Sequence, residues 1–408
     1  MNTFFLRKGH SHLLFPLALF SMLFVFSSCD ETGVVGSDII DEPPPVNADT
    51  LEIPATEGVP ITTFSGNEVH FSAGEYDDNI FGRQRITGMI NPSLSAQEVD
   101  SIGENAEGYL KLHVEEVLGD QSASASFDLI EIERRWRAPA WRPDSTLEFN
   151  NHNVVASFNI ADEDSIRIKL DDEWFGRYAD HFNASEDRDD SYKEQMFGLA
   201  IVPTNQAKIL SFESGKTELI IDNQVSSTED DDDDEDEPGV FRQFMRATGY
   251  SIDRDEIPAP GESTAVLNTF ENTLRLKFDI TEDFIGSKNV SRAELVLYED
   301  TEAMQDLPAG HERPEPEALY VYMLSEDETK RAVLESPNLE MLRNEDDNSF
   351  RVNLTSYVNA NLAGPMDERD LYVIVKDNDG RIIPTLIHNE TSEDREPRIL
   401  ITSANPEK

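Results

Sequence analysis

Asn272-Thr273-Leu274-Arg275-Leu276-Lys277-Phe278-Asp279-Ile280 alternates apolar and polar side chains almost without a break. A period of two puts Leu274, Leu276, Phe278 and Ile280 on one face of an extended chain and the charged residues on the other, which is the pattern of a half-buried strand. Val290–Tyr298, Ala318–Leu324, Ser349–Leu354 and Arg398–Thr402 continue the theme towards the C-terminus. Between Leu371–Lys376 and Arg381–Leu386 lies Asp377-Asn378-Asp379-Gly380, a hairpin signal because Asp-Gly accepts the positive φ of a tight turn.

Upstream the same period recurs in Thr50–Ile53, Glu68–Phe71 and Gly108–Val114, and Ala125–Ile132, Asn153–Ile160, Ser165–Leu170, Gly198–Pro203, Ile209–Ser214 and Thr217–Ile221 read as further strands. Helical patterning is confined to short stretches: Asp171–His181, Asp189–Met196, Asp327–Leu334 and Leu354–Asn361. Many short strands separated by Gly, Pro and Asp turns favour an antiparallel sandwich over a parallel sheet. Between the two strand-rich halves, Glu229 to Glu237 is an unbroken run of acids with five consecutive Asp, too self-repelling to pack. The chain therefore reads as all-β: two tandem antiparallel β-sandwiches, 49–225 and 241–404, joined by an acidic linker over 226–240.

Ahead of these units, Arg7 and Lys8 precede an apolar run from Leu13 to Phe26 that ends in Ser27-Ser28-Cys29. The run is shorter than the ~20 residues needed to span a bilayer, and a basic start, short apolar core and small-residue end describe a signal peptide over 1–28. Cys29 is the sole cysteine of 408 residues, so the sequence allows no intramolecular disulfide. Residues 29–48, with Pro43-Pro44-Pro45, read as a flexible tether.

Small residues directly before a lone Cys resemble the lipobox of bacterial lipoproteins, although Phe26 stands where that family usually has Leu. The resemblance implies diacylation of Cys29, cleavage just before it, and anchoring in the outer membrane. Cys29-Asp30-Glu31 followed by Gly36-Ser37-Asp38-Ile39-Ile40 is similar to the opening of an uncharacterised Bacteroidota surface lipoprotein family, in which acids after the Cys direct the protein outward. Asn272–Ile280 with Ala293–Leu297, Trp136–Trp141, Phe197–Ile201 and Pro397–Ile401 resembles the course of DNRLRE-type jelly-roll domains, some of which bind carbohydrate. That resemblance implies jelly-roll-like sandwiches; the second half lacks the family's Trp crossover.

Acidic residues number 82 against 34 Lys and Arg, a net charge of −48 that excludes nucleic acid as a partner. Within so acidic a chain, Arg134-Arg135-Trp136-Arg137 and Trp141-Arg142 stand out. Indole faces stack on sugar rings and guanidinium groups pair with uronate carboxylates, so Trp136, Trp141, Arg135 and Arg137 are the candidate polysaccharide-binding residues. The same two Trp suit a sandwich core. Asp77, Asp78 and Asn79 gather oxygen ligands for a structural Ca²⁺. Asp377–Gly380 also opens like a calcium loop, but position twelve is His388 rather than Glu, so it reads as a turn. The eight His show no His-Glu-x-x-His or paired spacing, and no nucleophile elbow or phosphate loop is present. The expectation is a non-enzymatic, lipid-anchored envelope protein that binds or scaffolds at the cell surface, with polysaccharide the leading ligand class; the alternatives are a structural or adhesive protein with a protein partner and a polysaccharide-degrading enzyme.

Overall fold

The computed structural model describes residues 46–53, 55–93, 105–183, 194–222, 240–257, 261–269, 271–277, 289–324, 338–363, 370–376 and 379–404. The signal peptide, Cys29, the acidic run of 229–237 and the helical stretch expected over Asp327–Leu334 lie outside them, as does most of Asp189–Met196.

Strands of the first half are β1 (Val46–Glu52), β2 (Ala55–Val59), β3 (His70–Asp78), β4 (Gly82–Pro92), β5 (Glu107–Asp120), β6 (Ala125–Ile132), β7 (Phe149–Ile160), β8 (Ser165–Lys169), β9 (Leu199–Pro203), β10 (Lys208–Glu213) and β11 (Glu218–Asp222). Those of the second are β12 (Val240–Arg254), β13 (Ser263–Leu267), β14 (Thr273–Lys277), β15 (Asn289–Tyr298), β16 (His311–Glu312), β17 (Ala318–Leu324), β18 (Asn338–Asn344), β19 (Ser349–Asn353), β20 (Asp370–Val375), β21 (Pro384–His388) and β22 (Arg398–Ala404). The described pairings are antiparallel. Helices occupy Asp172–Asn183, Thr301–Met304 and Thr355–Ala363, the first and last where patterning places them. The protein is all-β with large antiparallel sheets.

The period-two reading holds where alternation is strongest. Leu274 and Leu276 of β14 are fully buried opposite Val373 and Leu371 of β20, while Arg275 and Lys277 face outward to Asp370 and Glu57. Ala293, Leu295 and Leu297 of β15 join the same core.

Sheet membership, however, does not follow the two halves of the sequence. The nine-stranded sheet runs β1-β22-β15-β19-β18-β17-β20-β14-β2, so strands from residues 46–59 belong with the second half, and the first strand begins at Val46 rather than at 49. Conversely, β12 belongs with the first. Its front half pairs with β11 and its rear half with β4, bending at a register shift near Met245. Because β11 pairs with β5, β5 with β10, β10 with β3 and β3 with β4, this strand closes a six-membered ring of hydrogen bonds. Closure leaves these six strands without a free end, while β9, β6 and β7 continue the sheet from β4.

β13 and β21 form a separate ribbon rather than parts of a hairpin around Asp377–Gly380. Val266 and Ile387 of the ribbon pack into the second core; Ala265, Leu267 and Leu386 pack against Phe81 from the β3–β4 turn. Buried on both faces, the ribbon joins the two sheets. Gly380, whose φ is +96, serves a tertiary contact: a Cβ there would meet the His70 carbonyl at 1.8 Å, and its own carbonyl accepts a hydrogen bond from Ser72 Oγ at 2.8 Å. The expected hairpin turn is thus the edge of the junction between halves.

Candidate functional site

The Arg/Trp segment follows β6 and is held as a short turn of 3₁₀ helix over Ala138–Ala140. Trp136 Nε1 donates to the Phe197 carbonyl at 2.8 Å and Trp141 Nε1 donates to Ser251 Oγ at 3.1 Å. Their rings meet edge to face, 6.0 Å between centroids, and rest on a cluster of Met89, Ile130, Ile132, Ala200 and Val202. Both indoles are half-buried, so packing takes up much of each ring. Around them Arg134 pairs with Glu148 and Arg142 with Asp144. Arg135 and Arg137 are exposed, and among the described residues no carboxylate lies within ion-pair distance of either. Folding has therefore made an indole-backed loop that presents two guanidinium groups with no carboxylate at ion-pair distance among the described residues.

Asp77, Asp78 and Asn79 do not form the oxygen cage that calcium needs. Asp77 is exposed, whereas Asp78 is buried and bound at two points by the Arg313 guanidinium, Nε at 2.7 Å and Nη2 at 2.8 Å. Asp78 Oδ1 also accepts from the Ile80 and Phe81 amides, and Asn79 Oδ1 from Arg313. A cation is already present in the form of an arginine side chain, so the Ca²⁺ expectation for these residues finds no support.

Arg313 belongs to a junction that sequence inspection misses. Beside it Tyr76 and His311 share a hydrogen bond at 2.9 Å, and burial foremost pushes the Tyr76 hydroxyl up to about 12. An adjoining cleft of about 440 Å³ is lined by Glu299, His311, Glu312, Arg313, Glu315 and Arg343, among others. Glu299 is 1% exposed; burial holds its carboxyl above the ordinary value, opposed by a hydrogen bond from Thr385 and by Arg343 at 2.8 Å. Further round, Arg254 of β12 reaches Glu271 at 3.1 Å, with burial again raising the carboxyl. His70 Nδ1 lies 3.1 Å from Asp379 Oδ2. None of these partners lies near the other in sequence, and no local motif could have announced them.

Cys29 lies outside the described residues. Neither a family model nor a curated protein matches the chain. Among solved structures, a chain from infectious bursal disease virus Gt strain aligns over 90% of this chain and 78% of its own, at 9% identity. Its TM-score of 0.11 carries no structural argument.

Proposed function

We propose that the protein is an outer-membrane lipoprotein anchored through acylated Cys29 and facing outward, and that it binds anionic polysaccharide without catalysing a reaction. The observation that carries the binding role is the pair Arg135 and Arg137, exposed and without a carboxylate partner among the described residues in a chain of net charge −48. Near 0.15 M salt the screening length is about 8 Å, so a polyanion at this loop responds to the local guanidinium groups more than to distant acids. Guanidinium forks match uronate carboxylates and sulfates in geometry as well as charge. The two Trp hold the loop rigid, which lessens the ordering cost of binding.

The test is retention of the full chain, in detergent, on uronate-containing and sulfated polysaccharides. Retention that disappears in the Arg135→Ala/Arg137→Ala double variant, with its melting curve unchanged, supports the assignment; absence of retention on every polyanion refutes it. The anchor is checked separately by mass spectrometry of the mature N-terminal peptide, where a diacylglyceryl Cys29 is expected. A second reading, a scaffold for a protein partner, draws on exposed Phe244 at the bend of β12. It predicts capture of a partner that Phe244→Ser abolishes.

A further inference from the structure

Where β5 runs beside β10, Ser211 faces Glu116 but Phe212 faces Val114, so Glu115 is an extra residue in the ladder. Such a bulge re-aims side chains locally. One step beyond the Phe212–Val114 pair, Glu213 comes alongside His113. The result is a cluster in which one imidazole nitrogen of His113 and one carboxylate oxygen each of Glu115 and Glu213 lie within 4.8 Å of one another. Among the described residues this is the only such group of three His, Cys, Asp or Glu. His113 Nε2 stands 3.9 Å from Glu115 Oε2, too far for a hydrogen bond. A tetrahedral ion with ligands at about 2.0–2.2 Å needs donor atoms roughly 3.3 Å apart, a small rotamer adjustment from this spacing.

We propose that His113, Glu115 and Glu213 bind a divalent cation of the zinc class. An imidazole in the donor set favours zinc-like ions over calcium and magnesium, which take oxygen ligands throughout. Three protein ligands leave a coordination position open to solvent. Lys216 competes for the site: its Nζ lies 2.5 Å from Glu213 Oε2. The lysine is half-exposed on a flexible stem, so an incoming dication can displace it.

That competition separates a built site from general condensation of cations on an acidic surface. The full chain in detergent, stripped with chelator, is titrated calorimetrically with zinc and, separately, with calcium at 0.15 M salt. One zinc per chain is expected, not displaced by equimolar calcium. His113→Ala should weaken it by about 10-fold or more, whereas Lys216→Ala should tighten it. Circular dichroism and melting curves check that each variant is folded; should His113→Ala unfold, the near-isosteric Glu213→Gln carries the same decision. The proposal fails if no stoichiometric zinc binds, or if zinc binds equally well to folded His113→Ala and Glu213→Gln proteins.

Discussion

Arg313 grips Asp78 across 235 positions of sequence, with both side chains almost wholly withdrawn from water. Removing one member of such a pair strands the other charge in a poorly polar setting, and typically lowers stability by about 3–5 kcal/mol. Arg313→Met is expected to fall in that range by urea denaturation. Asp78→Ala should be worse, by about 1 kcal/mol for each of the two amides of Ile80 and Phe81 that lose an acceptor. Equal losses in the two variants would show that those amides find water instead.

The indole hydrogen bonds give a graded series. Trp136→Phe keeps most of the ring but deprives the Phe197 carbonyl of its donor, a loss of about 1 kcal/mol. Trp136→Ala also opens a void over the Met89 cluster and should cost about 3 kcal/mol, the low end for truncating a Trp because this one is half-exposed. Thermal melts of both variants, set beside the polysaccharide retention of each, separate the loop's rigidity from its contacts.

Glu68 predicts a dependence on pH. Burial, with the nearby Asp379 charge second, holds its carboxyl above the ordinary 4.5. A raised folded-state value means that the native form binds this proton more tightly than the unfolded chain. The associated stability is present below pH 4.5 and is lost as pH rises through the folded value. Glu68→Gln should therefore melt higher than the parent at pH 7 and coincide with it near pH 4. Identical curves at both pH values would place Glu68 in full contact with solvent.

Gly380 tolerates no side chain. At a φ of +96 and with a Cβ position 1.8 Å from the His70 carbonyl, Gly380→Ala must push the loop off β3. The expected signature is a large fall in melting temperature and faster amide exchange at Phe71 and Ser72. A melt within about 0.5 °C of the parent, a shift of about half a kcal/mol or less for a cooperative unit of this size, would contradict this docking.

Cutting the chain in the acidic run should leave neither fragment folded alone. The first fragment lacks β12, which supplies both β4 and β11 with a neighbour; the second lacks β1 and β2, which border its sheet. Two disordered fragments that recover β-rich circular dichroism on mixing are the expected result. A cooperative melt from either fragment by itself would count against it.

Strand identity was legible because alternation is local: Leu274, Leu276, Ala293 and Leu295 declare their inward face within a few residues. Partnership was not, since nothing in Val46–Glu52 distinguishes Arg398–Ala404 from a nearer partner. At Asp377–Gly380 turn chemistry is right about the backbone shape of Gly380, yet the strands on either side join different sheets. The Arg/Trp loop stands out by composition, but only the hydrogen bonds to Phe197 and Ser251 reveal how far the indoles are committed to packing. His113, Glu115 and Glu213 were invisible as a group. Glu213 lies on a different strand, remote in sequence from the other two, and a bulge, which no motif encodes, is what aligns them.

Pairing of Val46 with Ala404 carries a kinetic consequence. β1 cannot zip its ladder until β22 is available, and closing so long a loop is entropically slow. If the chain crosses a membrane N-terminus first, as the proposed lipoprotein would, β1 stays unmated until β22 follows it. Losing a handful of C-terminal residues would then be felt at the opposite terminus, as an exposed edge ready to recruit a stray strand.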